Sequence, residues 1–215
     1  MTSAPLLIAV DGPAASGKGT VASRLAAHYG LPFLDTGTLY RAVGAAVRAA
    51  GGDPADPAAA QAQAERLELS AIDPEVIRTA AAGEAASQVA AHPGVRGALL
   101  ALQRAFAAQP GGAVLDGRDI GTVIAPEARA KLFITAAPEV RAERRWRQLV
   151  AQGEAAILAE VLADIRRRDE RDAGRGAAPM KRAPDAVLLD TSNLTIEQAV
   201  DAARRIVETA RARRG

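Results

Sequence analysis

The chain has 215 residues, 49% of them hydrophobic and 24% charged, with a net charge of +2. That balance describes a soluble globular protein and offers no large field for a nucleic acid or a membrane surface. Cysteine is absent and only His28 and His92 carry imidazole, which excludes disulfides, thiol nucleophiles and thiolate metal sites and argues against a zinc centre.

In chain order, Leu6-Leu7-Ile8-Ala9-Val10 reads as a buried strand. Gly12-Pro13-Ala14-Ala15-Ser16-Gly17-Lys18-Gly19-Thr20 follows it, and Val21, Ala22, Leu25 and Ala26 then keep an apolar stripe at helical spacing. A glycine-rich turn between strand and helix, with lysine at its end, is the pattern of a phosphate-binding loop. Backbone N–H groups and the lysine wrap the phosphates of a nucleotide, at a helix N-terminus that favours anions. Gly12 to Thr20 are therefore the candidate donor-nucleotide residues. Gly19 stands where a Ser or Thr hydroxyl usually meets magnesium, and Thr20 supplies a hydroxyl one place later. Lys18 is one of only three lysines, with Lys131 and Lys181, among 27 basic residues, so it stands against the chain's own preference for arginine.

Helices are expected over 38–50, 57–66, 75–90 and 95–108, separated by turns rich in Pro, Gly and Asp. Further short apolar strands are expected over 113–115, 132–134 and 187–189. Strands alternating with long helical segments are the signature of a parallel sheet in an α/β fold, so the whole of 1–215 is expected to form one domain. The second strand ends in Asp116-Gly117-Arg118-Asp119, at the end of a sheet where ligands collect. Asp116 is a candidate for holding magnesium, directly or through water, with Thr20 as a second candidate, and Arg118 for gripping a phosphate with its planar fork. Arg168, Arg171, Asp172 and Arg175 fall at helical offsets of zero, three, four and seven, and Gly174 and Gly176 close the run, which suggests an arginine-rich lid over about 166–180. Arg141, Arg144, Arg145 and Arg147, around Trp146, read as a helix surface with one packed indole. No apolar run approaches the ~20 residues that span a bilayer, and no basic segment precedes an apolar core at the N-terminus. A cytoplasmic location is expected.

Several further segments follow the phosphate loop in order: Asp35-Thr36-Gly37-Thr38-Leu39-Tyr40-Arg41, Ala86-Ser87-Gln88-Val89-Ala90, Asp116-Gly117-Arg118-Asp119 and Arg168-Asp169-Glu170-Arg171-Asp172-Ala173-Gly174-Arg175. Together with Ala178-Pro179 and Ala186-Val187-Leu188-Leu189-Asp190-Thr191 they cover nearly the whole chain, and the chain resembles the bacterial cytidylate kinases. The resemblance implies a P-loop kinase fold with a central, mainly parallel sheet flanked by helices. It implies ATP as phosphoryl donor, CMP or dCMP as acceptor, Mg²⁺ as cofactor, no nucleic-acid or membrane partner, and a monomer. By similarity, Arg41, Arg118 and Arg175 would hold the acceptor phosphate. Thr36, Ser87, Arg96 and Asp119 would lie by the cytosine, and Arg168 and Asp172 by the sugar. Lys18, Arg118, Arg168, Arg171 and Arg175 are the candidate catalytic cations. Relatives often have Ser where this chain has Thr36, and many carry a longer insertion with a small antiparallel sheet where this chain has residues 67–85. A reduced acceptor-binding insertion within a region of about 36–108 is the expectation. Another small-acceptor P-loop kinase, or a nucleotide-switched binding module, remain as alternatives.

Overall fold

The computed structural model describes residues 5–174, 176 and 178–212. Strand β1 (Leu6–Asp11) is apolar on both faces because it is the middle strand, and helix α1 (Lys18–Tyr29) leaves it through the glycine-rich turn. The chain continues through β2 (Phe33–Asp35), α2 (Thr36–Ala49), α3 (Pro57–Glu65), a 3-10 turn at Leu69–Ala71, α4 (Pro74–Ile77), α5 (Ala80–Val89) and α6 (Pro93–Ala107). Strand β3 (Gly112–Gly117) leads into a π-helical turn, Ile120–Ile124. Then come β4 (Ala130–Thr135), α7 (Pro138–Ala151), α8 (Leu158–Ala173), β5 (Val187–Asp190) and α9 (Ile196–Ala212).

All four strand pairings are parallel, in the order β2-β3-β1-β4-β5. The four expected strands are present, and β2 is an addition. Three residues are too few to show a two-residue period, so β2 is recognisable only from its pairing of Leu34 with Leu115 and Asp35 with Asp116. Helices cover both faces, as a parallel sheet requires. On one face Leu39, Val43, Val89, Val95 and Leu99 pack on Ala9 and Leu115; on the other Val21, Leu25, Ala203 and Val207 pack on Ile8, Val10 and Leu132. Ala142, Leu149, Val161 and Ile165 form a third, smaller core between α7 and α8, with Ala15 of the loop and Trp146 against it.

The helix expected over 75–90 is two helices. Asp73 accepts from Glu75 N to start α4, and Thr79, in extended backbone, accepts from Ala82 N to start α5. A second cap inside the run ends one helix and aims the next. Among the described residues, 67–85 hold only helical turns and no strand, and no helix is long and apolar enough to cross a membrane. Asp35 caps α2, accepting from Gly37 N at 2.9 Å, so that helix begins at Thr36, two residues earlier than expected.

Helices α2 and α5 touch at Gly44, where a Cβ would lie 2.7 Å from that of Ala85. Gly44→Ala should wedge the pair apart and cost about 1–3 kcal/mol. The check is a lower urea midpoint with an unchanged m-value.

Candidate active site

The parallel register brings the carboxyl ends of the strands to one edge of the sheet, with Asp35 beside Asp116 and Asp11 beside Gly117. The phosphate loop crosses this edge. Gly12 has φ 146° and Gly17 φ 84°, and a Cβ on Gly12 would collide with the Ile134 carbonyl, so glycine is required there for both space and conformation. The loop's carbonyls are tied to protein donors. Ser16 Oγ donates to Pro13 O at 3.0 Å, Arg141 Nη1 to Ala14 O at 3.3 Å and Thr191 Oγ1 to Ser16 O at 2.9 Å. No side chain caps the N-terminus of α1, which leaves its first-turn N–H groups for an anion.

Lys18 Nζ lies 3.3 Å from Asp116 Oδ1, with 12% and 2% of the two side chains exposed. Burial pushes the Lys18 ammonium below the usual lysine range while Asp116 pulls it back. Burial likewise raises the Asp116 carboxyl to about 6, against the pull of Lys18. Gly19 sits against the same carboxylate: a Cβ there would be 3.1 Å from Asp116 Oδ2. A side chain at position 19 would need that carboxylate to give by a few tenths of an ångström. Thr20 is exposed and lines the same cavity as Lys18 and Asp116.

That cavity, of about 790 Å³, runs from Ala15–Val21 past Asp116 to Arg144, Arg145, Thr191 and Ile196. Its volume suits a nucleotide-sized ligand. A narrower cleft of about 270 Å³ adjoins it, lined by Lys18, Asp35, Arg41, Arg118, Arg145 and Arg168 among others. Beyond the cleft, Thr36, Ser87, Arg96, Arg118, Asp119, Arg168 and Asp172 line a cavity of only about 40 Å³. Seven of the expected acceptor residues thus converge on one cavity, and Arg41 stands in the cleft beside it. Arg175 lies outside the described residues. Arg171 lines none of these three cavities; it pairs with Glu84 of α5 at 3.1 Å.

Ion pairs draw the small cavity shut. Arg118 Nε donates to Asp172 Oδ2 at 2.8 Å with 15% and 1% exposed, and Arg96 Nη2 donates to Asp119 Oδ2. Breaking such buried pairs costs about 3–5 kcal/mol, whereas exposed ones such as Arg147–Glu143 contribute about 1 kcal/mol or less. Thr36 donates its hydroxyl to the Asp116 carbonyl at 2.8 Å, which fixes α2 on β3 and leaves an acceptor lone pair for a ligand. Two buried polar atoms on the cavity walls, Ser87 Oγ and Arg96 Nη1, have no hydrogen-bond partner among the described residues. Buried groups of this kind are rare and point to a polar ligand.

Three contributions were not anticipated from the sequence. Asp11 accepts from Ile120 N at 2.7 Å and Gly121 N at 2.8 Å, which holds the turn after β3; burial raises its carboxyl to about 7, with Asp119 and Asp116 adding to the effect and the two backbone bonds opposing it. Its place at the end of β1 was the available signal. Arg141 and Arg144 are not surface residues. Arg141 is buried, and Arg144 donates to Thr191 Oγ1 at 3.0 Å and Thr191 O at 2.7 Å on the wall of the large cavity. Their lines of α7 face the loop, and in so arginine-rich a chain the sequence did not single them out.

Residues 8–209 match the family described as cytidylate kinase. A cytidylate kinase of Caulobacter sp. (strain K31) is 69% identical over 97% of this chain and 97% of its own length. One from Xanthobacter autotrophicus is 66% identical over 97% of this chain and 100% of its own. A solved structure of an uncharacterized protein from Eubacterium ventriosum shares the fold alone, at 12% identity and a TM-score of 0.56 over 95% of this chain and 99% of that one. With a family match over most of its length and relatives at this identity, the chain belongs to the cytidylate kinase family.

Proposed function

We propose that the protein transfers the terminal phosphoryl group of ATP to CMP or dCMP, giving ADP and CDP or dCDP. The observation that carries the reading is the cleft between the two cavities, where Lys18, Arg41, Arg118 and Arg168 face one another. Two polyanions must meet there in line, and four cations in a confined, half-dry space offset their repulsion as charge shifts from donor to acceptor. In this reading the loop amides and Lys18 grip the donor phosphates, and Arg41 and Arg118 the acceptor phosphate. Ser87 Oγ and Arg96 Nη1 meet the base, and Arg168 and Asp172 the sugar. Arg175 and Arg171 belong to the segment that closes over both nucleotides.

The residues present fit a magnesium ion, because Asp116 is a buried carboxylate 3.3 Å from Lys18 whose pKa burial raises to about 6, and an added cation would favour its charged form. Asp116 would hold it, with Thr20 as a second oxygen on the same wall. Bound there, the ion would neutralise donor phosphate charge. Both nucleotide sites come from one chain, so the reading requires no second copy and no macromolecular partner.

The acceptor cavity of about 40 Å³ is smaller than a nucleotide, so in this reading its walls, which the Arg118–Asp172 pair draws together, part when the acceptor binds. In this reading a phosphate dianion takes the carboxylate's place at the guanidinium fork, and its charge-assisted bonds offset the loss of the buried Arg118–Asp172 pair.

ADP formation from MgATP should depend on CMP or dCMP and fall off with UMP, AMP or no acceptor. Arg118→Ala should lower kcat/KM for CMP by about 100- to 1,000-fold. Equal turnover with and without acceptor would identify an ATPase or a nucleotide switch instead.

A pH series tests Asp116. With its carboxyl raised to about 6, the free enzyme carries a proton there at pH 5 and has lost it at pH 7. Asp116 would hold the cation only as the ionised carboxylate, so kcat/KM for MgATP should fall by about tenfold for each pH unit below about 6. Residual activity of Asp116→Asn should lack this limb, which separates it from any contribution of Asp11.

A further inference from the structure

We propose that Arg141 is a positioning residue that fixes the distance between the two substrates by bolting the donor loop to helix α8. The inference rests on the kinase reading above and assigns a task within it to a residue that touches neither cavity.

Arg141 is 3% exposed, and all three nitrogens of its guanidinium donate hydrogen bonds. Nε donates to Ala136 O at 2.8 Å, at the end of the β4 segment. Nη1 donates to Ala14 O at 3.3 Å, inside the phosphate loop, and to Asp169 Oδ1 at 3.1 Å. Nη2 donates to Asp169 Oδ2 at 2.6 Å, which completes a two-pronged grip on the carboxylate. One planar group therefore joins the sheet, the loop and α8. Ala15 of the loop and Trp146 of α7 pack on the apolar seam between α7 and α8, so the loop and α8 are joined by packing as well as through Arg141.

Helix α8 reaches the acceptor side through the residues next to Asp169. Arg168 lines both the cleft and the small cavity, Asp172 holds Arg118, and Arg171 holds Glu84 of α5. Asp169 and Asp172 are three residues apart, about 4.5 Å along the helix axis. The donor loop is thus linked to the acceptor pocket by a path of one guanidinium and less than one helical turn. In-line transfer is sensitive to misplacement of the reacting atoms by about 1 Å, and a planar fork with fixed donor directions transmits position in a way that a lysine on a flexible stem does not.

Asp169→Asn in the full chain is the informative variant, because Asp169 is 25% exposed and asparagine keeps its shape while removing half of the grip. Arg141→Lys is the second. With both substrates saturating, kcat of Asp169→Asn should fall by about 10- to 100-fold while the KM values for ATP and CMP stay within about threefold, and Arg141→Lys should behave alike. Thermal stability is measured alongside. A lower Tm with kcat per folded molecule unchanged would overturn the proposal, since that is the signature of a purely structural residue. So would a loss confined to one KM, which would make the pair part of that substrate's site. Amide hydrogen exchange provides a readout that needs no acceptor. Saturating MgATP should slow exchange across α8 in the wild type and not in Asp169→Asn. Equal responses in the two would also overturn it, whereas wild type lacking CMP-dependent ADP formation would remove the kinase reading and leave this coupling test standing.

Discussion

A single buried carboxylate facing a single buried ammonium organises this molecule. Asp116 and Lys18 lie at the end of the sheet with little access to water, each holding the other charged against the preference of its surroundings. Neither would be placed there by packing, since a buried ion pair is at best weakly stabilising compared with apolar residues of the same volume. The surrounding residues serve the pair. The β2–β3 register sets Asp35 beside it, the Thr36 hydroxyl pins the Asp116 carbonyl, and glycine at position 19 lets the loop approach. The strain and the unfavourable burial are concentrated where phosphate and cation chemistry is expected, which is the usual place for a fold to depart from its own stability rules.

The same contrast in exposure orders the arginines. Many of them lie on solvent, in pairs such as Arg78–Glu75 that hold nothing in place. Those withdrawn from water connect elements: Arg118 to α8, Arg96 to the turn after β3 and Arg141 to the loop, with the half-buried Arg144 joined to Thr191. A buried guanidinium must satisfy several donors at once, so each such residue fixes several elements relative to one another. The Arg118–Asp172 and Arg96–Asp119 pairs draw together the walls of the cavity on the acceptor side.

Much of this arrangement is legible in the sequence. The central strand shows as an unbroken apolar run because it is covered on both faces, and the loop shows because its glycines sit where the backbone must turn left or approach another strand. The cluster from Thr36 to Asp172 is not contiguous, and no local pattern brings it together; the family resemblance named those residues, and the parallel topology explains why they can meet. Other features depend on partners far away in the chain. Strand β2 is three residues long and exists by virtue of β3. The break before α5 turns on whether Thr79 points its hydroxyl back at Ala82 N, a choice that the alanine-rich sequence around it does not decide. Arg141 and Asp11 look ordinary until Asp169 and the Ile120–Gly121 amides are brought to them.

The approach of Gly19 to Asp116 carries a consequence for substitution in the loop. A Cβ at position 19 would press on the Asp116 carboxylate, which would have to give by a few tenths of an ångström, so a change in the loop is felt at the end of β3. The two positions, 97 residues apart in the chain, are therefore physically coupled: a side chain added at 19 is felt first by the carboxylate that faces Lys18.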